Sequence, residues 1–148
     1  MKIYPVIEKG ADGMYSAYCP GTSWKNKYSF GGFGSTVDEA KEDFISSIEE
    51  MKSLYRKNTG KEADELDNLY IIWTYDIPSL FDYFPYINIS RFAEKAGINP
   101  SKMRQYASGS AFPGEEMLNR ILSAFRAISN ELADVDVKYS KAKQAKTK

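Results

Sequence analysis

The sequence predicts an α+β chain: an N-terminal sheet of order β-β-β-α-β packed by one helix, followed by an all-α unit. Three observations carry that expectation. Up to residue 35, short runs rich in β-branched and aromatic residues alternate with glycine- and aspartate-rich turns, which is strand and hairpin chemistry. From Val37 apolar residues recur at helical spacing, and another β-prone run follows at Leu69–Tyr75. From Asn88 to about Ala133 the pattern is helical. A length of 148 residues suits one large domain or two small ones, and 43% apolar composition suffices for buried cores. The boundaries fall at 1–76 for the sheet unit, 77–137 for the helical unit and 138–148 for a tail.

Lys2–Ile7 (KIYPVI) is the expected first strand, with Pro5 tolerable at a sheet edge or where its missing N–H faces outward. Lys9–Gly13 carries two glycines and an aspartate, and Met14–Tyr18 resumes the strand pattern, so the two strands read as a hairpin. Cys19–Lys27 is a polar loop, and Tyr28–Gly32 is the expected third strand. Glycines 31, 32 and 34 lead into a helix opened by Thr36-Val37-Asp38-Glu39, a capping box with acids at the positive end of the helix dipole. Val37, Ala40, Phe44, Ile48, Met51 and Leu54 form its inward stripe, and Asp38, Glu39, Glu42, Asp43, Glu49 and Glu50 give it an acidic outer face. Arg56–Asn68 reads as a charged loop. Leu69–Tyr75 (LYIIWTY) is nearly continuously apolar, which predicts a strand in the sheet interior, ended by Asp76-Ile77-Pro78.

Ser79–Phe84 is expected to form a short helix that opens the second unit or joins the two. The run Asn88–Pro113 then shows a specific spacing. With Ile89 as position one, Ala93 is at five, Gly97 at nine, Ile98 at ten, Met103 at fifteen and Tyr106 at eighteen. That is the spacing of a helix-turn-helix: a small residue where the helices touch, and a glycine where the chain turns through positive φ. Phe92, Ala96, Ile98, Met103 and Tyr106 would close the core beneath, Asn88 would cap the first helix, and Asn99-Pro100 would start the second. An ordinary helical hairpin packed on another element would use the same residues.

In a helix-turn-helix the second helix lies in the major groove, and its exposed polar members here are Ser101, Lys102, Arg104 and Gln105. Arg104 and Gln105 carry the bidentate chemistry that reads guanine and adenine, while Lys102 and Ser101 suit phosphate equally well. Asn88 sits where a helix N-terminus accepts either a capping oxygen or a phosphate. Glu115–Ala133 carries Leu118, Ile121, Leu122, Phe125, Ile128 and Leu132 as one stripe, which serves either the core or a second subunit. A homodimer or higher oligomer would suit a reader of paired half-sites.

Charge divides with the pattern. Residues 1–85 hold nine Lys or Arg against fourteen Asp or Glu, and residues 86–148 hold eleven against six, which suits an acidic module joined to a nucleic-acid-binding one. The last eleven residues carry five lysines and no acid, and read as disordered and either solvated or adding nonspecific DNA affinity. There is no histidine, which removes Ser-His and Cys-His catalysis and most transition-metal sites, and a single cysteine, Cys19, excludes an internal disulfide. No metal, cofactor or catalytic residue is assigned. With no membrane-length apolar run and no signal-peptide pattern, the expected location is the cytoplasm.

Two resemblances attach to these residues. Residues 88–125, including Gly109 and Pro113, are similar to the Xre and Cro-type DNA-binding domain. The pieces Ile7-Glu8-Lys9, Asp12-Gly13-x-Tyr15-Ser16-Ala17-Tyr18-x-Pro20-Gly21 and Gly32-x-Gly34-Ser35-Thr36-x-x-Glu39-Ala40 resemble the HicB antitoxin family. That resemblance implies a sheet similar to a truncated ribonuclease H fold without its metal-binding acids. It also implies a type II antitoxin that neutralises a HicA-like RNA-cleaving toxin through its N-terminal domain and represses its own operon, so that its partners are that toxin and operator DNA. The chain departs from the family pattern in an enlarged segment at Gly21–Lys27 and in the long charged loop after the helix. Two other readings compete: a regulator whose N-terminal domain senses a ligand or protein without any toxin, and a metal-dependent nuclease. The nuclease would need carboxylates converging from several strands, whereas the first strand offers only Glu8 at its end.

Overall fold

Pro5 sets the form of the first strand. In the computed structural model, which describes residues 1–20 and 27–139, the expected single strand Lys2–Ile7 is two: β1 (Lys2–Ile3) and β2 (Val6–Lys9). Its parallel partner is likewise divided, into β5 (Tyr70–Ile71) and β6 (Thr74–Tyr75). The N–H groups of Tyr70, Ile72, Thr74 and Asp76 donate to the carbonyls of Met1, Ile3, Pro5 and Ile7, all at 2.9 Å, so the ladder is unbroken in that direction. Pro5 has no N–H to return the bond from the other side, and both strands are interrupted at that point. The proline is fully buried, not at an open edge.

The remaining elements are β3 (Tyr15–Tyr18), β4 (Gly32–Gly34), α1 (Val37–Thr59), a 3-10 turn (Asp64–Leu66), α2 (Ile77–Tyr83), α3 (Ile89–Ala96), α4 (Pro100–Ser108) and α5 (Glu115–Ala133). The chain is mixed α+β with small sheets. β2 and β3 form the expected antiparallel hairpin, and the larger sheet runs β4-β3-β2-β6. The 69–75 run is therefore a sheet edge rather than interior strand. Its apolar character has another cause: Ile71, Trp73 and Tyr75 pack toward α1, with Trp73 edge-on to Phe44 at 5.4 Å. Lys41 of α1 lies among these aromatics, donating to the Tyr75 hydroxyl at 2.6 Å with its ammonium 3.9 Å from the Tyr83 ring centre.

β4 falls at Gly32–Gly34, not at Tyr28–Gly32, because the strand forms where α1 can approach it. A Cβ on Gly32 would lie 2.3 Å from the Ala40 carbonyl oxygen and 2.4 Å from the Phe44 nitrogen. Along the outer side of β4, one row of α1 side chains then satisfies the amides that no strand reaches. The N–H groups of Gly31, Phe33 and Ser35 donate to Ser47 Oγ at 3.1 Å, Asp43 Oδ2 at 2.8 Å and Glu39 Oε2 at 2.7 Å. Thr36 caps α1 as expected, accepting from Glu39 N–H; the Glu39 carboxylate is held chiefly by the Ser35 hydroxyl and N–H, with a lesser bond from the Thr36 N–H, and these hydrogen bonds keep its carboxyl below the usual range.

On α1 the stripe Val37, Ala40, Phe44 and Ile48 is buried, whereas Leu54 is exposed and Tyr55 turns inward onto Tyr28 in its place. The expected loop Arg56–Asn68 is partly ordered: α1 continues to Thr59, ends on Gly60, and the turn after it buries Ala63 and Leu66. A second buried cluster gathers Ile77 and Phe81 of α2 with Phe92, Ala93, Met103, Tyr106, Ile121 and Ala124. α2 begins at Ile77, two residues before the expected start, because Asp76 caps it. The segment 21–26 and the tail from 140 lie outside the described residues, and so do the readings made there. Among the described residues no helix is long and apolar enough to cross a membrane.

Gly32→Ala is expected to cost about 1–3 kcal/mol by pushing α1 off the sheet, read as a lowered Tm. Gly114→Ala, where a Cβ meets nothing within 4 Å, is the comparison: it should lose only the smaller difference, about 0.5–1 kcal/mol, between glycine and alanine at the N-cap of α5.

Candidate nucleic-acid interface

The local chemistry of residues 88–109 fixes two short helices around one turn. Asn88 Oδ1 accepts from the Arg91 N–H at 3.0 Å and starts α3; Asn99 Oδ1 accepts from Ser101 N–H at 2.9 Å and starts α4, with Pro100 in its first turn. Between them Gly97 holds φ 68° and ψ 33°, left-handed values that a β-carbon would strain. Its N–H and that of Ile98 close back on the carbonyls of Glu94 and Ala93. α5 locks the same turn from outside, where Arg120 donates to the Gly97 carbonyl at 2.8 Å and pairs with Glu116. Beneath, Phe92, Ala93, Ala96, Ile98, Met103 and Tyr106 are all buried, so each position the spacing reserved for the interior is interior.

All five sequence-derived site residues, Asn88, Ser101, Lys102, Arg104 and Gln105, are exposed. At 100° per residue Ser101, Gln105 and Ser108 share the outward line of α4, with Lys102 and Arg104 flanking it on opposite sides. Arg104 is held in place: its guanidinium donates to Ser90 Oγ at 2.9 Å and reaches Ser101 Oγ at 3.4 Å. This brings the N-terminal turn of α3, where Asn88 sits, beside α4. Both partners are neutral hydroxyls, so the charge stays available. The Lys102 ammonium rests 5.6 Å from the Tyr106 ring centre. Sequence reasoning passed over Ser90 and Ser108; no spacing marks Ser90, because its role depends on a contact made 14 residues away.

The electrostatics differ from the split between halves. With the five lysines of 138–148 set aside, residues 86–137 hold six basic and six acidic side chains. Arg91, Lys95 and Arg120 pair with Glu94, Glu131 and Glu116, while among the described residues neither Lys102 nor Arg104 has an ionic partner. Residues 86–137 are therefore neutral, Arg126 on α5 is likewise without an ionic partner among the described residues, and the whole excess positive charge of this half lies in residues 138–148.

α5 divides the expected stripe. Ile121 and Ala124 are buried and Phe125 and Ile128 half-buried, but Leu118, Leu122 and Leu132 are exposed.

The helices are joined to the sheet at α2. Asp76 accepts from Ser79 N–H through Oδ1 and from Lys9 N–H through Oδ2, both at 2.9 Å, so one carboxylate caps α2 and ends β2. In the last turn of α2, Asp82 takes the Lys9 ammonium at 2.7 Å and the Tyr15 hydroxyl. Partial burial pushes the Asp82 carboxyl up, yet the bonds from Lys9 and Tyr15 outweigh it and hold the group below its ordinary value. No family model, no curated protein and no solved structure matches the chain.

Asp76→Ala is expected to cost about 1–3 kcal/mol, because it removes a helix cap and leaves two N–H groups without their acceptor; thermal unfolding and faster amide exchange at Lys9 and Ser79 would record it. The Asp82 anchor should be fully present above the carboxylate range and fade as pH falls through the depressed folded-state value, by about 0.5 kcal/mol because the pair is partly solvated. Asp82→Asn should flatten that part of the acid limb of the stability curve.

Proposed function

We propose that this chain is a HicB-like antitoxin and autorepressor in the cytoplasm, with residues 1–76 as toxin-binding domain and 77–137 as helix-turn-helix DNA-binding domain. The observation that carries the DNA-reading half is the α3–Gly97–α4 unit: a closed apolar interior with Arg104 preset by Ser90 and Gln105 projecting from the outer face of α4. In a major groove, Arg104 and Gln105 would meet base edges, and Lys102, Ser101 and the N-terminus of α3 at Asn88 would meet phosphates. Two copies on a near-palindromic site would exclude polymerase.

The antitoxin half rests on the resemblance of the 7–40 pieces and on the acidic balance of residues 1–85, which would speed encounter with a basic toxin. A second reading, a regulator that senses a ligand and has no toxin, is favoured by one feature. A groove of about 670 Å³ runs between the β2–β3 turn and the residues after α4, lined by Gly10, Tyr75, Tyr106, Phe112 and Leu118 among others. A ligand there would touch both units at once.

Recovery of the tagged chain from its native lysate separates the two readings: a small basic protein bound together with the chain's own upstream DNA supports the first, and DNA without that protein supports the second. On a specific site Arg104→Ala or Gln105→Ala should cost about 1–3 kcal/mol and relax base preference, while Lys102→Ala should weaken all sequences alike and lower the salt slope by about one. Equal losses on operator and random DNA for all three would remove the base-reading assignment.

A further inference from the structure

We propose that the β5–β6 edge pairs with the same edge of a second copy of this chain, antiparallel and centred on Trp73. The two edges of the sheet are finished differently. At β4, Glu39, Asp43 and Ser47 occupy the outward N–H groups, so a further strand would have to displace three side chains. At the opposite edge the N–H groups of Tyr70, Ile72, Thr74 and Asp76 all donate inward, to the strand formed by residues 1–7. By the alternation of an extended strand, the N–H and C=O groups of Ile71, Trp73 and Tyr75 point outward. Among the described residues no hydrogen bond reaches those three N–H groups.

An unpaired edge of this length is a template for another strand unless charge, proline or a cap defends it. None does here. Residues 69–75 contain no charged side chain and no proline, and four of the seven are β-branched or tryptophan. Beside the edge, on the sheet face away from α1, Tyr4 and Tyr70 are 54% and 64% exposed, adding apolar surface where a second sheet would continue the first.

The occupant follows from symmetry and charge. Three outward residues at alternate positions are their own complement about a two-fold axis. Ile71 would face Tyr75 of the second copy and Trp73 its twin, each facing pair exchanging two hydrogen bonds. A register shifted by two residues would leave one pair unmade. The strand itself sets no like charge against its twin, the nearby cation being Lys41 on the α1 face, held by the Tyr75 hydroxyl and the Tyr83 ring, whereas the β4 edge would set Glu39 and Asp43 against their own copies. The inference does not depend on DNA recognition: a dimer of this form that ignores operator DNA would leave it standing and remove only the earlier proposal.

Sedimentation equilibrium of the full chain tests it. In the centred register residue 72 faces residue 74 of the second copy, and both side chains lie on the face away from the core. The double variant Ile72→Lys, Thr74→Lys should therefore weaken the dimer at least about 100-fold through facing like charges, and Ile72→Glu, Thr74→Glu should do the same. An equal mixture of the two variants should restore a one-to-one heterodimer. On the unaltered chain, the amides of Ile71, Trp73 and Tyr75 should exchange slowly when dimeric and quickly on dilution. A chain that stays monomeric at every concentration, a dimer that survives both double variants, or a dimer abolished instead by Leu122→Lys on α5 would overturn the proposal, as would fast exchange of those three amides in the dimer.

Discussion

One carboxylate, that of Asp76, accepts the N–H at the end of β2 and the N–H three residues into α2, each at 2.9 Å. Everything C-terminal depends on where that bridge places α2. The helix contributes Ile77 and Phe81 to the second buried cluster, with Phe81 edge-on to Phe92 of α3 at 5.3 Å. It also returns Asp82 to Lys9 and Tyr15, and presents Tyr83 to Tyr75 and Lys41. Sheet and helices thus share one short helix, and its direction is set at its first residue by a local cap that also satisfies a distant amide.

The same economy governs α1. Its inward residues fill the first core, while a row four residues apart, Glu39, Asp43 and Ser47, closes the β4 edge. Two of the acids that make this helix look like a solvated charged face therefore have backbone partners. That leaves less of the acidic surface free for a basic partner than composition suggests. Over residues 86–137 the reverse holds: the charge sums to zero, yet Lys102 and Arg104 on α4 lack ionic partners among the described residues.

What the sequence revealed was local. The turn at Gly97, the caps at Asn88, Asn99 and Thr36, the hairpin around Gly13 and the span of α5 each depend on residues within a few positions of one another, and each was legible. The strands were less so. Whether Pro5 interrupts a ladder depends on a partner 68 positions away, and β4 forms where Gly32 lets α1 approach rather than where aromatic residues are densest. The run 69–75 looked interior because apolarity reports burial against α1 without reporting strand order. At the site, the exposed residues of α4 followed from spacing, but the bond from Arg104 to Ser90 exists only once the two helices are folded together.

The central claim is that α4 reads a DNA sequence. The most direct measurement is competition binding of the purified full chain to its own upstream DNA and to a scrambled duplex of equal length, across a range of salt concentrations. The account predicts a preference of at least about 10³ for the upstream DNA that persists as salt weakens both. Equal affinities that fall together with salt would mean that the lysines hold phosphates and that α4 reads nothing.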